Sequence, residues 1–146
     1  MGVKIIKPED TFGIRKKVLR ENIPLPYEFP GDFDENTLHF GYFVDDQLVS
    51  VASIMKSSHD YFSETNQYQL RGMATLTEFQ GQSIGSKLLL EVMQFIEERQ
   101  AELLWFNARI KALNFYQKLG FETIGAEFDI NYVGGHYVMY KHLKQS

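Results

Sequence analysis

The chain has 146 residues, the size of one domain with its own hydrophobic core, so a single domain spanning residues 1–146 is expected. A composition that is 44 % hydrophobic and 23 % charged is that of an ordinary globular protein, and the absence of cysteine excludes disulfides, thiolate metal sites and a covalent acyl-cysteine route. The net charge of −4 disfavours nucleic acid as a partner, and with no apolar run long enough to span a bilayer and no signal-like start, no membrane association and a cytoplasmic location are expected.

Along the chain, Val3 to Lys7 reads as a first strand. Asp10 to Glu21 reads as a helix with Phe12 or Ile14, Val18 and Leu19 on its apolar side. The basic residues between Arg15 and Arg20 are expected on that helix's solvated face. Pro24, Pro26 and Pro30 then break regular structure, which leaves Asn22 to Asn36 as a loop made acidic and aromatic by Tyr27, Glu28, Asp32, Asp34 and Glu35. Leu38 to Val44 and Gln47 to Met55 are strand-like and join across Asp45-Asp46 as a hairpin. After a polar stretch from Ser57 to Asn66, Tyr68 to Thr75 is a strand leading towards Gln80-Gly81-Gln82-Ser83-Ile84-Gly85. The helix that follows, Ser86 to Gln100, belongs to a pattern in which Ile84, Leu88, Leu89, Val92, Met93 and Ile96 recur at helical spacing, so one face is expected to be buried. Leu103 to Ala108 is an apolar strand, and Ala112, Phe115, Tyr116 and Leu119 mark a short helix closed by Gly120. Phe121 introduces a final strand pair, Glu122 to Tyr132 and His136 to His142, interrupted by Gly134-Gly135. This order predicts an α/β fold: a mixed, mostly antiparallel sheet flanked by helices, with one crossover in the middle.

The small-residue loop before the second long helix has the character of a phosphate cradle, because free N–H groups and the positive end of a helix dipole bind anions. A nucleotide P-loop would need Gly-Lys-Ser or Gly-Lys-Thr, and Gly85-Ser86-Lys87 has another order. Gly81-Gln82-Ser83-Ile84-Gly85 also satisfies the nucleophile-elbow pattern of serine hydrolases, with Asp129 and His136 following in hydrolase order. Thr75 to Phe79 nevertheless separates the strand from Ser83, and Asp129 to His136 fits inside one hairpin.

Two motifs in order, the loop from Gln80 to Gly85 and the Phe115-Tyr116 to Gly120-Phe121 segment after its apolar strand, resemble the GCN5-related N-acetyltransferase (GNAT) superfamily over roughly the second half of the chain. In that family Gln or Arg is followed three residues on by Gly and five on by Gly or Ala. Gln80 and Gly85 match, whereas Ser83 stands where Gly is usual; a serine there fits at negative φ and offers its hydroxyl to a phosphate oxygen.

The resemblance implies a GNAT-type acyl-CoA N-acyltransferase fold, acetyl-CoA as co-substrate without a metal, and direct transfer of acetyl to a primary amine. It implies that Leu70 to Thr75 splays from Leu103 to Ala108 around the acyl-pantetheine, with backbone groups of Met73, Ala74 and Thr75 bonding its amides and stabilising the oxyanion. The diphosphate would rest on Gln80, Gly81, Gln82, Ser83, Ile84, Gly85 and Ser86. Tyr116 is the candidate general acid for the departing sulfur. Asn107 and Asn114 are candidates for cofactor contacts or for caps of local backbone. The general base is open among His136, Glu78, Glu64, Glu28, Asp34 and water, and the four histidines lack metal-ligand spacing. The expected acceptor is a small amine or a peptide N-terminus, cationic before deprotonation and drawn by the acidic loop from Tyr27 to Glu35. A homodimer is compatible with the sequence. The competing readings are a non-catalytic acyl-CoA-binding module and a hydrolase using Ser83.

Overall fold

In the computed structural model, which describes residues 2–145, the strands β1 (Gly2–Ile6), β2 (Leu38–Val44), β3 (Gln47–Lys56) and β4 (Gln67–Thr75) lie side by side, each antiparallel to the next. The β2–β3 hairpin turns where expected. Asp45 and Asp46 both sit at positive φ, 48° and 66°, the backbone of a turn whose twist suits two paired strands. A parallel partner, β5 (Leu103–Arg109), follows β4, and β7 (Gly134–His142) and β6 (Glu122–Ile130) complete one seven-stranded sheet in the order β1-β2-β3-β4-β5-β7-β6. The turn between β6 and β7 falls at residues 131–133, so Gly134 and Gly135 belong to β7 itself and not to an interruption between the two strands.

α2 (Ile84–Glu97) is the crossover between β4 and β5 and lies across β2, β3 and β4. The six apolar residues picked out by periodicity are all buried, Leu88, Leu89, Val92 and Ile96 completely. The helix starts two residues earlier than expected and ends in a Schellman motif: Ala101 N–H donates to the Ile96 carbonyl and Gln100 N–H to that of Glu97, with Gln100 at φ 63°. The short α3 (Leu113–Lys118) ends the same way, with Gly120 at φ 93° and Phe121 N–H donating to the Tyr116 carbonyl.

Between β1 and β2 the chain forms a continuous helical stretch of three kinds: a 3-10 turn (Pro8–Thr11), α1 (Phe12–Ile14) and a π-helical turn (Arg15–Leu19). Here the solvated basic face fails at Arg15, which is fully buried. Asp32 receives its guanidinium bidentately at 2.6 and 3.1 Å, and its Nη1 and Nη2 also donate to the Tyr27 carbonyl and Ser53 Oγ. The Phe29 ring covers the cation at 4.0 Å. Both terminal nitrogens are thus met, while Nε is buried without a partner among the described residues; the bidentate carboxylate is what lets the charge stay out of water. Asp32 is thereby used up as well. Burial pushes its carboxyl up, but hydrogen bonds from Arg15 and the Phe29 N–H, with the charges of Arg15 and His39, outweigh that and hold it below the ordinary carboxylate range.

Candidate active site

The site begins where a ladder stops. β4 and β5 pair only at Gln67–Leu103, Tyr68–Leu104 and Gln69–Trp105; beyond these the strands part, and a cleft of about 920 Å³ opens between them. On its other edge β4 carries a bulge. Val51 faces Ala74 and Ser53 faces Arg71, so Gly72 and Met73 together oppose Ala52. Such an insertion leaves backbone groups outside the ladder. Gly72 makes the bulge feasible twice over: its φ is +60°, and a Cβ would stand 2.9 Å from Arg15 Nε and from the Phe29 ring.

At the far end of β4 the chain runs through a 3-10 turn (Thr77–Phe79) into the loop ahead of α2. Lys87 N–H to the Ser83 carbonyl, 3.0 Å, is the first bond of that helix, so the amides of Ile84, Gly85 and Ser86 have no carbonyl of their own helix to bond. Gln80 Nε2 donates to the Thr75 carbonyl at 2.9 Å and ties loop to strand. Ser83 is at φ 63°, in the left-handed region, which corrects the expectation of a negative φ and explains the glycine usual there. A Cβ on Gly85 would meet Met73, Phe115 and Thr75 at 3.4 to 3.6 Å, so this glycine keeps the mouth of the cleft open.

Of the expected cofactor residues, Met73, Ala74, Thr75, Gln80, Gly81, Ser83, Ile84, Gly85, Ser86, Asn107 and Tyr116 line this cleft. Gln82 and Asn114 do not: the Gln82 amide donates to the Glu78 carbonyl, and Asn114 lies exposed on α3. Tyr116 packs against Phe106, ring centroids 4.4 Å apart, and against Phe115 at 5.0 Å. Its hydroxyl has no protein partner among the described residues and is not sealed from the cleft. Burial pushes the phenol up to about 12, against the opposing pull of the Arg109 charge, so it stays protonated throughout the physiological range.

Among the five candidate bases only His136 lines the cleft. Its Nδ1 lies 2.7 Å from the Gly134 carbonyl, which can only accept; in the neutral ring the proton therefore sits on Nδ1 and the lone pair on Nε2. Glu64 instead faces His142 at 2.8 Å. The same geometry removes the hydrolase, since the His136 nitrogen that would face Asp129 is bonded to Gly134 and seven residues separate β4 from Ser83. The 22–36 loop lends the cleft Phe29 and none of its carboxylates. Periodicity missed Arg20, Arg71 and Arg109, which also line the cleft; the signal available was the Arg71-Gly72 pair inside a strand.

A family model described as an acetyltransferase (GNAT) domain matches residues 14–140. The uncharacterized N-acetyltransferase YitI of Bacillus subtilis (strain 168) is 38 % identical over 147 residues, covering 100 % of this chain and 99 % of that protein. Escherichia coli ElaA superposes with a TM-score of 0.80 at 19 % identity, over 95 % of this chain and 97 % of its own. An aminoglycoside 6'-N-acetyltransferase complexed with coenzyme A superposes with a TM-score of 0.77 at 10 % identity, over 100 % and 99 %. The last two establish likeness of fold.

Proposed function

The chain belongs to the GNAT acetyltransferase family and is an acetyl-CoA-dependent N-acetyltransferase, and on that premise we propose that it acetylates a primary amine by direct attack within a ternary complex, in the cleft between β4 and β5. The observation that carries this reading is the parting of those strands next to the bulge at Gly72–Met73, with the free amides of α2 at one end. The chemistry of the donors fits acetyl-CoA: backbone N–H groups at a helix start suit a diphosphate, and the parted strands offer backbone amides to an extended amide-bearing arm. Met73, Ala74 and Thr75 would hold that arm, and residues 80–86 that line the cleft would hold the diphosphate. Bound acetyl-CoA supplies an activated acetyl carbonyl and a thiolate leaving group.

The reaction forms a C–N bond, breaks a C–S bond and moves one proton from nitrogen to sulfur. The chain therefore has to present a proton acceptor near the amine and a donor near the sulfur. We assign the acceptor role to His136, whose Nε2 lone pair is free, and the donor role to Tyr116. Burial raises the phenol to about 12, well above an ordinary thiol, so full proton transfer to the departing thiolate is uphill. Tyr116 is thus better suited to hydrogen-bonding the developing thiolate than to protonating it outright. No cysteine is present to carry an acetyl group, which favours direct attack. A cytoplasmic location and an acceptor that is a small amine or a peptide N-terminus belong to the same proposal.

Initial rates with acetyl-CoA and a panel of amines varied together test it, with the N-acetylated product read by mass spectrometry. Intersecting double-reciprocal lines are expected. Parallel lines, acetylated protein forming without acceptor, or CoA release without an acetylated amine would overturn the mechanism.

A further inference from the structure

The cleft of this acidic protein is cationic. Arg20, Arg71, Arg109, Lys111 and Lys118 line it, and among the described residues no aspartate or glutamate does. Three of these cations form one cluster. Arg20 Nη1 and Arg109 Nη2 both donate to the Leu19 carbonyl, at 3.1 and 3.3 Å, and Arg20 and Arg71 both stand over the Phe29 ring, at 5.3 and 5.0 Å. Asp32, whose charge reaches Arg71, is already held bidentately by Arg15. Each of the three guanidiniums keeps N–H groups without a partner among the described residues: Nη2 of Arg20, Nε and Nη2 of Arg71, and Nε and Nη1 of Arg109. None of these is sealed from solvent. Partial burial and the neighbouring Arg109, Arg15 and Arg71 charges lower the Arg20 pKa, and of the three arginines Arg71 alone feels a carboxylate, that of Asp32.

The order of residues along β4 says which ligand this cluster faces. Arg71 precedes the bulge at Gly72–Met73, whereas Thr75 and the diphosphate loop follow it. A co-substrate seated on that loop, with its reacting end at the bulge, has placed its diphosphate before it reaches the arginines. The arginines remain for the acceptor. We infer that the acceptor amine carries an oxyanion, a carboxylate or a phosphate, which Arg20 and Arg71 bind beside Phe29, with Arg109 adding charge, so that its amino group is held at the bulge. This replaces the cationic acceptor expected from the acidic loop. It rests on the transferase reading for the identity of the ligand, though the binding itself is measurable without turnover. Guanidinium forks suit either oxyanion through paired N–H donors.

The test uses matched pairs on CoA-loaded protein by titration calorimetry: α-amino acids against their amides, and phosphoethanolamine against ethanolamine. The anionic member of at least one pair is expected to bind ten-fold or more tightly than its neutral partner. The amino-acid pairs report a carboxylate and the ethanolamine pair a phosphate. Arg71→Gln and, as a second and more exposed substitution, Arg20→Gln should each reduce that preference several-fold while CoA affinity is retained. In turnover the loss should fall on the KM of the acceptor with little change in kcat. Equal binding within every pair, or a preference intact in both folded variants, overturns the inference. CoA release from neutral amines as efficient as from anionic ones would do the same and leave the transferase standing. An arginine-dependent preference without acetyl transfer to any amine would instead sink the transferase reading and uphold the anion site.

Discussion

At Asp32 a carboxylate that reads in sequence as part of an acidic loop is, among the described residues, the only counter-ion of a fully buried arginine. Asp32→Asn would leave Arg15 charged and unpaired, and the protein should lose about 3–5 kcal/mol in denaturant unfolding. The sign of the pH dependence follows from the lowered pKa. The folded carboxyl is more acidic than the unfolded one, so its contribution is complete above the unfolded value and is lost as pH falls through the folded one, which makes Asp32→Asn less sensitive to acid than the parent. Ser83 offers the opposite case, an L-residue in the left-handed region with an exposed side chain. Ser83→Gly should raise stability by about 1 kcal/mol and keep transferase activity, because the backbone conformation is what the loop requires. Tyr116→Phe keeps the ring packed on Phe106 and removes the donor, so kcat should fall on the order of 10²-fold with acetyl-CoA affinity unchanged. With the phenol near 12, its neutral form stabilises the fold fully below pH 10 and that contribution fades as pH rises towards 12; the parent should therefore show no loss of rate from Tyr116 ionisation up to pH 10.

Both helices that flank the cleft end in the same hydrogen-bonding motif with different residues at its left-handed position. α2 uses Gln100 at φ 63° and α3 uses Gly120 at φ 93°. The motif favours glycine because a Cβ crowds the carbonyl, which predicts opposite signs for two reciprocal changes. Gln100→Gly should stabilise by about 1 kcal/mol, and Gly120→Ala should destabilise by at least as much. In the second variant the new methyl also displaces Lys141, whose ammonium, 2.9 Å from the position a Cβ would take, donates to the Leu119 carbonyl. Thermal melts of the two variants against the parent check the signs. If both shift the same way, the left-handed cap is not what closes these helices.

Over the whole molecule, a net charge of −4 coexists with a cleft that, among the described residues, is lined by five cationic side chains, so the field converges on the seat proposed for the anionic co-substrate. The kcat/KM for acetyl-CoA should consequently fall as salt rises from low to physiological ionic strength. Acetyl-CoA at about 100 times its Kd should stabilise the native state by about 2.7 kcal/mol, visible as a higher Tm. In Gly85→Val the side chain enters the space between Met73, Phe115 and Thr75, and the variant should fold yet lose that ligand-induced shift. A full shift in folded Gly85→Val would remove the loop ahead of α2 from the co-substrate's path.

Much of this architecture is legible in the residues because it follows from local rules. A helix repeat exposes the buried face of α2 before any partner is known, paired aspartates in the left-handed region suit the β2–β3 turn, and Gly120 is where a helix can stop. Two motifs at the family's spacing were likewise enough to indicate acetyl transfer. What the tertiary structure decided are relations between distant residues. Arg15 and Asp32 are neutral to each other in sequence, and only the packing of the 22–36 loop on β3 and β4 makes them a buried pair. His136 is separated from the other candidate bases because β7 brings it to the cleft and the others lie elsewhere. The cationic lining draws on residues 20, 71 and 109, which no periodicity connects; they meet because the β4–β5 ladder ends at Gln69 and Trp105, and a gap between two strands has no signature in either strand alone.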